Sequence, residues 1–427
     1  MLVGAPRKGT NARFLVEEHL EELQRLADTA GVQVVGTMTQ QIERPHPGTY
    51  LGSGKLEELE QMASDRQASL IIFDDELSPS QGKNIEETVN RRVMDRAELI
   101  LDIFATRARS NEAKLQVELA QLEYMLPRLT RMWTHLEKTT GGIGVGMRGP
   151  GETQLETDRR LIGHRIRLLK ERLADVKRAR MVQRESRKQV FRAALVGYTN
   201  AGKSSLLKAL SHAPDIFIED RLFATLDPLT REVGLTEQTK MVVTDTVGFI
   251  RKLPHHLVAS FRATLEEVLE TDLLLHVIDA SHPHWEEQRE VVDEVLAELG
   301  VHDKDVLYVF NKIDRLPVAE QEGLRTRAAH LFPQNVLVSA IEGDAGIVDL
   351  RRALVEASRR HTPLVVLRME HGNGKLLAEL HRLGEVVSVR HADDATYVEA
   401  RLDDAALARA TRLGAAVATA SPATGSY

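Results

Sequence analysis

The sequence predicts an α/β protein built around a P-loop domain with a mostly parallel sheet, and three observations carry that prediction. A short apolar run, Ala193 to Val196, feeds Gly197-Tyr198-Thr199-Asn200-Ala201-Gly202-Lys203-Ser204 and then an amphipathic helix from Ser205. Asp245-Thr246-Val247-Gly248 and Asn311-Lys312-Ile313-Asp314 each follow a further apolar run, Met241 to Val243 and Asp305 to Phe310. Ser339-Ala340 follows a fourth, Asn335 to Val338. All four signatures therefore fall at the carboxyl ends of predicted strands, where open α/β sheets bind their ligands. Around this domain the sequence predicts a small N-terminal α/β domain, a helical hairpin and a small C-terminal α+β domain.

Each signature suits one part of a nucleoside triphosphate. Gly197 and Gly202 let the backbone curl so that successive N–H groups point inward, and the helix N-terminus adds its positive dipole. Lys203 can reach the β- and γ-phosphates, and Ser204 offers a hydroxyl to Mg²⁺. Asp245 can hold a Mg²⁺-bound water. Gly248 can give its N–H to the γ-phosphate, since a residue without Cβ permits that close approach. Asp314 can accept two hydrogen bonds, from guanine N1–H and the 2-amino group. Adenine has no such donor pair, and sites built this way discriminate by roughly 10⁴–10⁵. Ser339-Ala340 can offer a backbone N–H to guanine O6. The expected nucleotides are GTP and its product GDP.

These motifs resemble those of the HflX family of translation-factor-related GTPases, close kin of the Obg group, and the resemblance covers most of residues 14–360. Phe223-Ala224-Thr225-Leu226-Asp227-Pro228 matches the family's switch I signature. The match implies that Thr225 joins Ser204 and Asp245 on Mg²⁺ and that Lys203, Thr225 and Gly248 form the catalytic set. Read alone, Thr225 is better taken as a loop hydroxyl capping a turn. Phe249 stands where Ras-like proteins carry a water-orienting glutamine, and the family shares that replacement. The resemblance thus implies slow intrinsic hydrolysis, completed from outside by the ribosome or by K⁺. Asn200 matches the position of a potassium-coordinating asparagine, and equally suits a turn with left-handed geometry.

Composition bounds the remainder. A chain of 427 residues suggests about three domains. The absence of cysteine fits a reducing compartment and excludes disulfides and thiolate metal sites. The first residues lack an apolar signal core, and no run approaches the ~18 residues that span a bilayer. A cytoplasmic monomer without a membrane span is expected.

In chain order, residues 1–111 read as the N-terminal α/β domain, with Asn11 capping a helix that ends at Gly31, then strands at Val32–Val35 and Ser69–Phe73. Gly52-Ser53-Gly54-Lys55 suits a helix-capping turn better than a second phosphate loop, although some relatives in the family have been proposed to bind ATP in this domain. Residues 112–190 read as an antiparallel helical hairpin, with a parallel homodimeric coiled coil as the alternative. Its first seam is Leu115, Leu119, Leu122, Leu126, Leu129, Trp133 and Leu136, interrupted by Pro127. Its second is Leu155, Ile162, Ile166, Leu169, Leu173 and Val176. Between them lies a glycine-rich tip, residues 141–151. From 155 to 190 twelve Lys/Arg face five Asp/Glu, so this arm is +7 in a chain of −7 and the rest sums to −14. Such a stretch is either a solvated helix face or a surface for RNA phosphates. The resemblance implies the latter: contact of the hairpin with rRNA of the large (50S) subunit near its peptidyl-transferase centre, and separation or rescue of ribosomes under stress. A nucleotide-dependent scaffold or RNA-binding regulator with a non-ribosomal partner is the other reading. Residues 191–361 form the GTPase domain, 364–420 read β-α-β-β, and 421–427 form a disordered tail.

Overall fold

The computed structural model describes the chain except residues 8–11, 130–153, 186–189, 214–218, 220, 237–238, 254–267, 302, 342–344 and 419–427. It divides into two units. The first comprises Met1–Arg180 with Glu219–Asp227 and Ile250–Ala263. The second comprises Met181–Ile218, Pro228–Phe249 and Thr264–Tyr427. The predicted tail and glycine-rich tip lie outside the described residues, as do Asn11, Trp133 and Leu136. No helix among the described residues is long and apolar enough to cross a membrane.

In the first unit the chain runs β1 (Leu2–Gly4), α1 (Ala12–Thr29), β2 (Thr37–Thr39), α2 (Ser53–Asp65), β3 (Leu70–Phe73), α3 (Pro79–Val89), β4 (Arg92–Asp95) and α4 (Arg96–Arg107). The strands form a parallel sheet in the order β2-β1-β3-β4. The expected strand at Val32–Val35 is displaced to Thr37–Thr39. Val35 and Gln33 are exposed, Arg66 holds the Val35 carbonyl, and β1 pairs Val3 with Met38, which is buried. Gly52 has an ordinary φ of −69° and caps α2, so the Gly52–Lys55 stretch is a helix start with no phosphate-loop geometry.

After α4 come α5 (Asn111–Met125) and a single 3₁₀ turn, Leu126–Arg128, at the Pro127 interruption. Ala113, Gln116, Val117, Ala120 and Tyr124 form most of the buried face of α5, whereas Leu115 and Leu122 of the expected seam are only half-buried. α4 packs against α5, and the Tyr124 hydroxyl donates to Asp95, the residue that caps α4, at 2.9 Å, which turns the Tyr124 face of α5 inward. In α6 (Gln154–Glu185), Arg165 pairs with Glu118 and Lys170 with Glu123, each at 2.7 Å. Both pairs advance five residues in each helix, so α5 and α6 run side by side in the same sense. The antiparallel pairing expected of the two seams does not hold for α5, and residues 130–153, with Trp133 and Leu136 of the first seam, lie outside the described residues.

Two inserted segments complete this unit. Glu219 pairs with Arg107 at 2.7 Å, and the Phe223 ring meets Phe104 edge-on at 4.8 Å. Asp227 accepts hydrogen bonds from the backbone N–H groups of Arg109 (2.9 Å) and Ser110 (3.2 Å) and from the Ser110 hydroxyl. Ser110 in turn caps α5. Lys252 Nζ lies 2.6 Å from Asp74 and 2.7 Å from Asp75. Burial opposes ionisation of Asp74, but Arg96 and then Lys252 outweigh it and hold its carboxyl below the usual range.

In the second unit the chain runs β5 (Arg192–Gly197), α7 (Lys203–Ser211), β6 (Leu229–Gly234), β7 (Lys240–Asp245), β8 (Leu273–Asp279), α8 (Trp285–Glu298), β9 (Asp305–Asn311), α9 (Val318–Leu331), β10 (Asn335–Leu337) and α10 (Ile347–His361). The sheet order is β10-β9-β8-β5-β7-β6, parallel except for β6 against β7. Leu195, Leu206, Leu207, Val243, Leu275 and Leu350 build the core on one side of the sheet. Trp285, Phe310, Ala328 and Phe332 build it on the other. The segment then continues β11 (Leu364–Met369), α11 (Gly374–Leu383), β12 (Glu385–His391), β13 (Thr396–Arg401), α12 (Asp404–Arg412) and β14 (Ala416–Val417). The β-α-β-β reading gains a helix and a two-residue edge strand, giving an antiparallel sheet in the order β12-β13-β11-β14.

Candidate nucleotide site

The loop from Gly197 to Ser204 has a shape that its glycines impose. Gly197 has φ +152°, and a Cβ there would stand 2.2 Å from the Val277 carbonyl oxygen on β8. Gly202 has φ +96°, and a Cβ there would meet Asn311 Nδ2 at 2.2 Å. Asn200 adopts the left-handed region at φ +61°, the geometry its turn reading requires. Ala201 and Tyr198 are buried beneath the loop.

Gly248 and Phe249 are stitched alongside. Thr199 donates its N–H to the Phe249 carbonyl at 2.6 Å, and Phe249 donates its own to the Gly197 carbonyl at 3.1 Å. A Cβ on Gly248 would lie 2.6 Å from Thr199 Cα and 3.0 Å from Lys203 Nζ. The Phe249 side chain is 1 % exposed, packed in the core. It has no polar atom to offer a water, as the sequence indicates.

Lys203 opens α7 and donates to the carbonyls of Gly197 (3.2 Å) and Tyr198 (3.0 Å). Burial pushes its ammonium down from the ordinary 10.5 to about 8, against the pull of Asp245 and with a smaller push from Lys312. A polyphosphate brings negative charge to this ammonium and raises the value again. Above about pH 8, nucleotide binding is therefore expected to take up a proton, and affinity to fall as pH rises. Calorimetry of GDP binding at pH 9 in two buffers of different ionisation heat counts that proton; identical apparent heats would contradict it.

Ser204 donates its hydroxyl to Asp245 Oδ2 at 2.6 Å, and Asp245 is fully buried at the end of β7. Two hard oxygen ligands within one hydrogen bond of each other fit the donor set of Mg²⁺. Phe223, Ala224 and Thr225 belong to the first unit.

At the other end of the loop Asn311 acts as a tie. It donates from Nδ2 to the Ala201 carbonyl at 2.9 Å and accepts the Ala340 N–H at 3.1 Å. Ser339 donates its N–H to the Ala345 carbonyl at 2.9 Å. Both amides that the sequence offered to guanine O6 thus already have internal acceptors, and meeting O6 requires sharing or giving up one of these bonds. Asp314 sits in a 3₁₀ turn, Ile313–Arg315, and its Oδ1 is buried with no partner among the described residues. A buried, unpartnered carboxylate oxygen is costly, and a donor pair from a base would satisfy it. One residue of this corner escaped the sequence reading. Asp279, at the end of β8, holds Lys312 Nζ at 2.7 Å. Its only sequence signal is its place after the apolar run Leu273–Ile278.

Comparison with known proteins gives several matches. Family models described as "GTP-binding GTPase N-terminal", "GTP-binding GTPase Middle Region" and "50S ribosome-binding GTPase" match residues 17–105, 107–187 and 192–312. The protein named GTPase HflX from Magnetococcus marinus is 45% identical over 395 residues, 91% of this chain and 89% of that protein. GTPase HflX from Escherichia coli is 45% identical over 368 residues, 86% of this chain and 85% of that protein. Among solved structures, a GTP-binding protein from Sulfolobus solfataricus in complex with GDP aligns with a TM-score of 0.44 at 24% identity, over 85% of this chain and 100% of that one.

Proposed function

This chain belongs to the HflX family of GTPases and hydrolyses GTP, and on that premise we propose that it is a nucleotide-timed switch acting on the large ribosomal subunit. The single observation that most supports guanine as the base is the buried Asp314 oxygen, without a partner among the described residues, in the turn that follows β9 at the carboxyl end of the strands, where the P-loop follows β5. In this reading Asp314 accepts from guanine N1–H and the 2-amino group, and the loop amides from Tyr198 to Ser205 hold the phosphates. Lys203 leaves the Gly197 and Tyr198 carbonyls for the β- and γ-oxygens, and Gly248 gives its N–H to the γ-phosphate. Ser204 and Asp245 would hold Mg²⁺, with Thr225 added by the family resemblance, and the ion would neutralise charge on the phosphate oxygens.

The chain lacks a polar group at Phe249 to orient the attacking water. Completion therefore comes from outside the site, either from the ribosome or from a K⁺ ion held by Asn200. Hydrolysis in K⁺ faster than in Na⁺ at equal ionic strength would favour the ion. The basic arm, residues 155–190, and the glycine-rich tip, 141–151, are the elements suited to rRNA: cationic side chains for phosphates and bare backbone for close approach. GTP-driven ordering of residues 223–228 and 245–249 would favour one placement of this arm, and so ribosome dissociation or rescue.

The decisive measurement is the GTPase rate with and without purified large subunits. Completion of a GTPase site by a partner is worth about 10³–10⁵ in rate. We expect stimulation in that range, lost when residues 141–151 are shortened. Equal rates, with no co-sedimentation of the GTP-analogue complex with the subunit, would leave a regulator of a non-ribosomal partner as the better reading.

A further inference from the structure

We propose that Asp279 is a positioning residue for the guanine base, acting through Lys312. The carboxylate is aimed by its own neighbours. Its Oδ1 accepts from the Ser281 N–H at 3.1 Å and from the Ser281 hydroxyl at 2.6 Å, which leaves Oδ2 to take Lys312 Nζ at 2.7 Å. The strands fix both backbones: Asp279 stands opposite Asn311 in the β8–β9 register, and Ala280 donates to the Asn311 carbonyl at 2.8 Å. The ion pair is well shielded, with the lysine and aspartate side chains 13% and 15% exposed.

Lys312 itself is held in an unusual pose. Its φ is +65°, a region an L-residue enters only when its surroundings over-determine it. Ile313 donates to the Val338 carbonyl and Arg315 to the Lys312 carbonyl, fixing the turn on both sides. The lysine stem passes beside the P-loop: its Cε would be 4.0 Å from a Cβ on Gly202. The side chain therefore runs from the second loop glycine to Asp279, with its charge anchored at the far end. A lysine stem laid out in this way is an apolar strip of four methylenes, suited to lie along the face of a purine.

Without Asp279 the stem would sample many rotamers, and a nucleotide would have to order it on binding. With Asp279 the strip is set before the base arrives. Freezing one long side chain corresponds to about tenfold in affinity. Because the strip meets the base and not the phosphates, the effect must be the same for GDP and GTP.

This inference rests on the base lying between Lys312 and Asp314, which Asp314→Asn tests separately through its selectivity for xanthine nucleotides. In the full chain, Asp279→Asn is expected to raise the Kd for GDP and for a non-hydrolysable GTP analogue by the same factor, about tenfold. KM for GTP should rise likewise while kcat stays within twofold. In a Lys312→Met background, where no charge needs anchoring, Asp279→Asn should add nothing. An unchanged or lowered Kd, a different factor for the two nucleotides, or full additivity with Lys312→Met would overturn the proposal. Should Asp279→Asn lose its cooperative thermal transition, Ser281→Ala loosens the carboxylate without removing it. That variant should raise both Kd values about threefold, and no change would overturn the proposal equally.

Discussion

Replacing Asp314 with asparagine is expected to turn a GTP-selective site into one that prefers XTP. Asp314 presents a buried oxygen with no partner among the described residues, in a turn fixed by β9 and the Val338 carbonyl. As a carboxylate it accepts from two donors of guanine, and each charge-assisted bond of this kind contributes about 1.5–3 kcal/mol. An asparagine amide loses one acceptor and turns an N–H₂ toward the guanine amino group. Xanthine carries a carbonyl there, which accepts that donor. A loss of about 10²–10⁴ for guanine nucleotides, with a gain for xanthine nucleotides, follows from those magnitudes. Competition between GDP and XDP for the wild type and the variant measures it. A variant that still prefers GDP would mean that another group reads the base.

Gly248→Ala carries the second large effect. Its new methyl would stand 2.6 Å from a backbone atom, Thr199 Cα, and neither that strand nor the loop can yield, since Thr199 and Phe249 are bonded at 2.6 Å. The segment must withdraw from the loop, taking its N–H from the γ-phosphate position. Loss of one preorganised donor to a developing charge costs about 10²–10³ in rate. Single-turnover hydrolysis should fall by that amount, while GDP affinity, set by Asn311, Asp314 and the loop amides, changes only a few-fold. Parental hydrolysis in the variant would remove Gly248 from the catalytic set.

The nucleotide domain was legible because its residues serve local geometry. Three of the four signatures begin on the last residue of a strand of six or seven residues, and Gly197 and Gly202 occupy conformations that other residues avoid. What escaped is non-local or short. β1 is three residues at the chain start, anchored by the Met1 ammonium on the Leu70 carbonyl at 2.7 Å, and no periodicity can signal it. The strand displaced from Val32–Val35 depends on that same partner. In α5, the leucine spacing points to one face, but the Tyr124 hydroxyl is held by Asp95, 29 residues away, and Leu115 and Leu122 are left half-buried. Asp227 holding Ser110, the cap of α5, and Asp279 anchoring Lys312 link residues 117 and 33 apart in sequence, beyond the reach of any local pattern.

The way the chain is shared between its two units bears on how its catalysis can be measured in pieces. Residues 219–227 and 250–263 interrupt the nucleotide-binding stretch, yet they count with the first unit, and Leu222, Phe223 and Ile250 are buried there at 5%, 2% and 0% exposure. Excising everything before residue 191 would strip Phe223 of the Phe104 ring that covers it. Returning such a side chain to water costs about 1.5–3 kcal/mol, so the excised enzyme would carry loosened, adhesive loops. Turnover numbers from such a fragment would describe those loops, and only the full-length enzyme can supply the baseline against which stimulation is judged.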